Sequence, residues 1–183
     1  MARLILRTLM GVLFMGHGLQ KLRGWFGGYG IEGTAGFFES IGLKPGKRHA
    51  TAAGVAETAG GAALALGLAT PVAAASLIGV MTTAVKTVHL EKGPWVSDGG
   101  WEYNAVVIAA LAALVETGPG PASLDRALGI EMKGPVWAFL ALGAGVGGAF
   151  ANLSQSGGAP QTAGDAQEAG ESGTVATPPA DVR

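Results

Sequence analysis

Five stretches of the chain are almost entirely apolar: residues 2–22, 52–68, 71–90, 101–117 and 134–153. A helix rises about 1.5 Å per residue, so about 20 such residues cross the roughly 30 Å hydrocarbon core of a bilayer. A helix of a soluble bundle keeps a polar stripe toward water. From Gly60 to Ile78 the only polar side chains are Thr70 and Ser76, and none is charged. No face of that stretch favours water. The pattern predicts an all-α transmembrane helical bundle of five spans, the fourth of them short. Arg3 and Arg7 ahead of an apolar run also suit a signal peptide. Gly16-His17-Gly18 closely followed by Lys21 makes no small-x-small cleavage site, so the first stretch is read as a span.

The connections sharpen this picture. Leu68-Ala69-Thr70-Pro71 joins the second and third spans with almost no loop, and proline suits the first turn of a helix. Those spans must form an antiparallel hairpin. The first loop, residues 23–49, is long and glycine-rich. Within it, residues 33–43 set Phe37, Phe38 and Ile41 against Glu39 and Ser40. That is the pattern of a short helix lying in the membrane interface or folded onto the bundle. Trp25, Phe26 and Tyr29 just before it suit headgroup-level anchors. Gly61 and Ala65, Ala63 and Gly67, and Gly143 and Gly147 are small residues four apart, which let helix backbones approach closely.

Composition narrows the classes. Of 183 residues, 49% are hydrophobic and 14% charged, against about 25% charged in an ordinary soluble domain. The 12 Lys and Arg nearly balance the 13 Asp and Glu, so no basic field awaits nucleic acid. Cysteine is absent, which excludes disulfide scaffolds, dithiol redox chemistry and cysteine-zinc sites. The charge is also divided. Asp165, Glu168, Glu171 and Asp181 face a single base, Arg183, in a C-terminal segment without aromatic residues. Residues 154–183 are therefore expected to be a disordered acidic tail.

Ionisable groups in a membrane are costly and usually face the bundle interior, where they often mark function. The polar groups in or beside the spans are His17, Gln20 and Lys21 in the first, Glu57 in the second, Lys86 and His89 in the third, and Glu102, Tyr103 and Asn104 in the fourth. Let side A be the side of the N-terminus and side B the other. Alternating helix direction brings all of these groups toward side B. One small-molecule pocket at the B end of the bundle is expected, rimmed by the first and third loops. Individually, Lys21 and Lys86 suit snorkelling, Glu102 a helix N-terminus, and Tyr103 an aromatic belt. Glu57, between Val55-Ala56 and Thr58-Ala59, needs a partner or a raised pKa. Histidine and carboxylate together suit a quinone headgroup, one bonding its oxygens and the other moving protons. His17 and His89 alone are too weak a signal to assign haem. A metal site of His17, Glu57, His89 and Glu102 is an alternative, as is a purely structural polar network.

The residues quoted next resemble the DoxX family of small bacterial integral membrane proteins. They are Arg7 with Gly11-Val-Leu-Phe-Met-Gly-His17-Gly-Leu-Gln-Lys21, Glu57 with Gly60-Gly61, Leu66-Gly-Leu-Ala-Thr-Pro71, His89, and Gly118-Pro-Gly-Pro-Ala-Ser-Leu-Asp125. The resemblance spans about residues 3–130. It implies a four-helix membrane domain over 1–130, with a further span in 131–153 and the tail as additions. The family takes its name from a subunit of a thiosulfate:quinone oxidoreductase, and other members are reported in membrane complexes with redox enzymes. The resemblance thus implies a multi-pass plasma-membrane subunit of a quinone-linked oxidoreductase system, with His17, Lys21, Glu57 and His89 on polar positions of the family pattern. The rival is a non-enzymatic scaffold that recruits a soluble redox enzyme through the first loop. A small transporter is a third reading, without evident inverted repeats.

Orientation follows from the bases. Side A holds Arg3, Arg7, Arg126 and Lys133, and side B holds Lys21, Arg23, Lys44, Lys47, Arg48, Lys86 and Lys92. The positive-inside rule then favours side B in the cytoplasm. Setting Lys21 and Lys86 aside as pocket residues narrows the margin to five against four.

Overall fold

A computed structural model describes residues 1–130 and 132–156. Within them the chain is helical. Helix α1 (Ala2–Arg23) is followed by α2 (Gly30–Ser40), α3 (Gly46–Leu66), α4 (Thr70–Ala84), α5 (Glu102–Thr117), the single turn α6 (Leu124–Ala127) and α7 (Pro135–Ser154). A π-helical turn (Val85–His89) and a 3-10 turn (Leu90–Lys92) prolong α4 without a break. Beyond residue 156, the expected acidic tail lies outside the described residues.

Local chemistry sets the boundaries. α1 stops at Gly24, whose φ of 71° suits a left-handed helix cap, with Lys21 and Arg23 in the last turn near the negative end of the dipole. α3 begins directly after Pro45, earlier than the apolar pattern suggested, because its first turn is the polar Lys47-Arg48-His49. α2 starts three residues before the expected 33–43 segment. It packs on α1 and α3, burying Thr34 and Ala35. Trp25, Phe26 and Tyr29 stand exposed beside it.

Three helices are long and apolar enough to cross a membrane: Ala2–Arg23, the continuous Thr70–Lys92 and Pro135–Ser154. Of the five expected spans these are the first, third and fifth, and the all-α membrane bundle is as expected. The second predicted span, α3, has 21 residues but carries charge in its first turn and at Glu57. The fourth, α5, has only 16 residues, or roughly 24 Å at 1.5 Å per residue, short of the hydrocarbon core. Both pack among the three longer helices to complete the membrane bundle.

α1 lies antiparallel on α3, then α3 on α4, while α7 packs on both α4 and α5. The α1–α3 crossing depends on glycine. A Cβ on Gly61 would sit 2.7 Å from the Met15 amide nitrogen, and one on Gly18 would sit 2.6 Å from that of Thr58. The core is built from Met10, Phe14, Leu64, Leu77, Ile78 and Leu111 with their neighbours. The predicted Gly143–Gly147 pair does not pack within the chain, since a Cβ on either would meet nothing within 4 Å. The close contact of α7 is Gly145, where a Cβ would lie 2.7 Å from the Ala75 carbonyl oxygen of α4. Gly67 is the left-handed cap of α3, with φ 64°, and not part of a packing stripe.

Candidate functional site

Polar groups gather at both ends of the bundle, and the two ends differ. At side A, Arg7 of α1 is 2% exposed. Its guanidinium donates to the carbonyls of Leu64 and Ala65 in the last turn of α3, and to Ala122. Asp125 is fully buried. Its carboxylate accepts from Ala69 N (2.6 Å), Thr70 N (3.0 Å) and Thr70 Oγ1 (2.7 Å). The tight corner between α3 and α4 is thus held by a cation on the C-terminal carbonyls of one helix and an anion on the N-terminal amides of the next. These are the groups a helix leaves orphaned at its ends.

At side B the polar groups border space. A cavity of about 840 Å³ opens among α1, α2, α3, α4, α5 and α7. Small-molecule sites fall in the range of about 300–1,000 Å³. Its walls are mostly apolar, with His17, Lys21, Glu57, His89, Tyr103 and Asn104 among them. Lys21 Nζ lies 2.6 Å from Glu57 Oε2, so the buried carboxylate, 3% exposed, has the partner it required. Lys21 also donates to the His17 carbonyl at 3.5 Å, closing one helical turn around the pair. His17 itself is exposed on the cavity side, with Nδ1 3.0 Å from Gln20 Oε1.

The π turn that prolongs α4 presents Thr87, Val88 and His89 to the same cavity. Such turns recur at functional sites. His89 Nδ1 is 2.6 Å from the Gly99 carbonyl, which can only accept. Nδ1 therefore carries a proton, and Nε2 remains for other partners. Asn104 is buried and gives Met81 Sδ a weak hydrogen bond at 3.5 Å. Tyr103 is largely exposed at the rim.

Three of the nine predicted site residues do not line the cavity. Gln20 turns away and donates to the Phe26 carbonyl at 3.3 Å, fastening the first loop. Lys86 is exposed. Glu102 opens α5 and accepts from Val96 N at 2.8 Å, bracing the third loop. Among the described residues no three His, Asp or Glu side chains are placed to hold a metal ion, so His17, Glu57, His89 and Glu102 form no common ligand set.

Sequence reasoning missed His49, Asn152 and the Arg7–Asp125 corner. His49 is buried and lines the cavity. Its Nδ1 is 3.3 Å from Asn152 Nδ2, and its Nε2 is 3.3 Å from the Lys44 carbonyl and 3.1 Å from Ser156 Oγ. It joins the start of α3 to the end of α7. A histidine beside Lys47 and Arg48 reads as loop charge, and only the early start of α3 turns it inward.

A family model described as DoxX matches residues 2–90. The match takes in α1 to α4 and all of His17, Lys21, Glu57 and His89. The chain is 34% identical over 111 residues to "Putative oxidoreductase CatD" of Bacillus subtilis (strain 168), covering 61% of this chain and 76% of that one. It is 32% identical over 133 residues to "Uncharacterized membrane protein Rv3486" of Mycobacterium tuberculosis (strain ATCC 25618 / H37Rv), covering 67% and 78%. No solved structure matches it at the same stringency. With a membrane bundle of this form, and relatives matched over three quarters of their length, the chain belongs to the DoxX family.

Proposed function

We propose that this chain is the plasma-membrane subunit of a quinone-linked oxidoreductase system, and that its B-end cavity binds a quinone or a similar small ring. The observation that carries this reading is one mostly apolar cavity bordered by polar groups from two pairs of helices, His17 and Lys21–Glu57 from α1 and α3, and His89 and Asn104 from the end of α4 and from α5. A planar ring with two oxygens suits apolar walls and hydrogen-bonding groups at its edges. Lys21 donates to a carbonyl oxygen, and Glu57 accepts from a hydroxyl once the ring is reduced. Electrons are exchanged with a bound molecule or a partner, since the chain has no thiols of its own. The name of the Bacillus subtilis relative supports an oxidoreductase role.

The test is binding of a quinone analogue to the purified full chain. The variant carrying Glu57→Gln and His17→Ala should bind about tenfold more weakly or worse, because hydrogen bonds to charged groups contribute about 1.5–3 kcal/mol. Equal binding by wild type and variant would overturn the assignment. A scaffold for a soluble redox enzyme is the second reading, favoured by the exposure of Trp25, Phe26 and Tyr29. Under it, replacing those three with alanine abolishes partner capture while Glu57→Gln does not.

A further inference from the structure

The cavity is not confined to the polar end. Val72, Ala75, Ser76, Gly79 and Thr83 in its lining recur at helical spacing and form one face of α4. From Val72 to Thr83 that face runs roughly 17 Å at 1.5 Å per residue, about half the hydrocarbon depth. Ala52 and Ala56 of α3 stand on one side of it, and Ala144 and Gly148 of α7 on the other. α7 packs along α4 and α5 and has no extensive contact with α3. The two are fastened at the B end, where His49 meets Asn152 and Ser156.

Between them a slot opens outward. Ala52, Val72, Ala144 and Gly148 are exposed, and a Cβ on Gly148 would meet nothing within 4 Å. Because these helices stand in the bilayer, the mouth faces acyl chains and not water. None of these slot residues is charged. A long channel of alanine, glycine and valine, in which the Ser76 and Thr83 hydroxyls already donate to carbonyls of their own helix, offers water few partners, since a held water needs two to four polar neighbours. It suits a hydrocarbon chain.

We infer that the site has two parts: the polar chamber takes a headgroup, and the slot between α3 and α7 takes the aliphatic tail of a ligand that arrives from the lipid phase. The headgroup half rests on the quinone reading; the slot does not. α7 lies beyond the residues matched to the family model, so this chain supplies one wall of the slot from outside that match. Lipid tails are as apolar as the slot, so it adds close packing and position, not a hydrophobic driving force.

The full chain in phosphatidylcholine nanodiscs is titrated with a methoxy-substituted benzoquinone, with and without a decyl chain, and affinities are expressed on lipid-phase concentration. In wild type the decyl compound should bind more tightly. Gly148→Leu and Ala52→Leu fill the slot from opposite walls at exposed positions. Each should weaken the decyl compound about tenfold, as overpacking a fitted site does, and leave the chainless ring unchanged. No gain from the chain in wild type would overturn the inference. So would an unchanged chain effect in both variants, or equal loss for both compounds. If neither ring binds, the quinone reading fails by itself and spin-labelled stearate decides the slot. A motionally restricted component in wild type that vanishes in Gly148→Leu supports it, and the lack of such a component overturns it.

Discussion

Replacing Asp125 by alanine tests the corner on which the helical hairpin turns. The carboxylate is fully buried and accepts from Ala69 N, Thr70 N and Thr70 Oγ1. Asp125→Ala leaves two buried amides at the start of α4 without an acceptor, while the Thr70 hydroxyl can rotate toward another. A buried donor left unsatisfied costs about 1–3 kcal/mol, so the two amides account for roughly 2–6 kcal/mol. Loss of an anion at the positive end of a helix adds up to about 2 kcal/mol in a partly buried setting. The expected loss is therefore roughly 2–8 kcal/mol. Arg7 would meanwhile keep its bonds to the end of α3, because its acceptors are carbonyls. The assay is thermal unfolding of purified protein in detergent, followed by tryptophan fluorescence and size-exclusion recovery. Thr70→Val serves as the mild control, removing one hydroxyl and costing about 1 kcal/mol. An Asp125→Ala protein as stable as the Thr70→Val control would refute the view that this carboxylate holds α4 in place.

The same corner contains Ala69 at φ 45° and Gly67 at φ 64°. A non-glycine residue in the left-handed region costs roughly 1–2 kcal/mol, so Ala69→Gly should raise the unfolding temperature or leave it level. Gly67→Ala should lower it, because its Cβ would come within 2.7 Å of Ser123 Cβ. At side B, Lys21→Met strands the Glu57 carboxylate and should cost roughly 3–5 kcal/mol, whereas joining it with Glu57→Leu should recover most of the loss. Thermal melts of the two singles and the double decide this, and a double that loses the sum of both would refute it. Orientation follows from the corrected charges. Arg7 and Lys21 are engaged inside the bundle, and Lys86 is exposed. Six bases then remain on side B and three on side A, which predicts side B in the cytoplasm. A green fluorescent protein fused after Arg183 should glow and a fused alkaline phosphatase should stay silent; the reverse result sinks the assignment.

What the sequence makes legible is depth, and what it hides is direction around each helix. Alternating spans placed Glu57, His89 and Asn104 at one end, and they line one cavity there. Which side chains face inward depends on features without a sequence signature. The π turn at Val85–His89 adds a residue to the turn and shifts the facing of those after it by about 100°. Lys86 and His89 thereby part company. Small residues four apart show that backbones can meet, not where. Gly61 meets α1, while Gly143 and Gly147 face away and Gly145 makes the contact. The Gly118–Asp125 segment marked the family resemblance without revealing its work, because the amides that Asp125 holds lie 55 and 56 residues earlier in the chain.

The contrast between the two ends bears on where chemistry belongs. Both contain a cation and a buried carboxylate, although Lys21 at side B is only partly buried. At side A each is spent on helix termini, and the corner would be a weaker hinge without them. At side B the Lys21–Glu57 pair fills no helix end. It links the middle of α3 to the last turn of α1, which Gly24 already caps. Replacing such a buried pair with well-packed apolar residues is often neutral or stabilising, so stability is a weak reason for having it. Its distinguishing property is position, on the wall of a cavity large enough for a small molecule. The charges that serve the fold and those open to a ligand are therefore separable. The Lys21→Met with Glu57→Leu double substitution should separate them: it keeps the bundle and removes the binding.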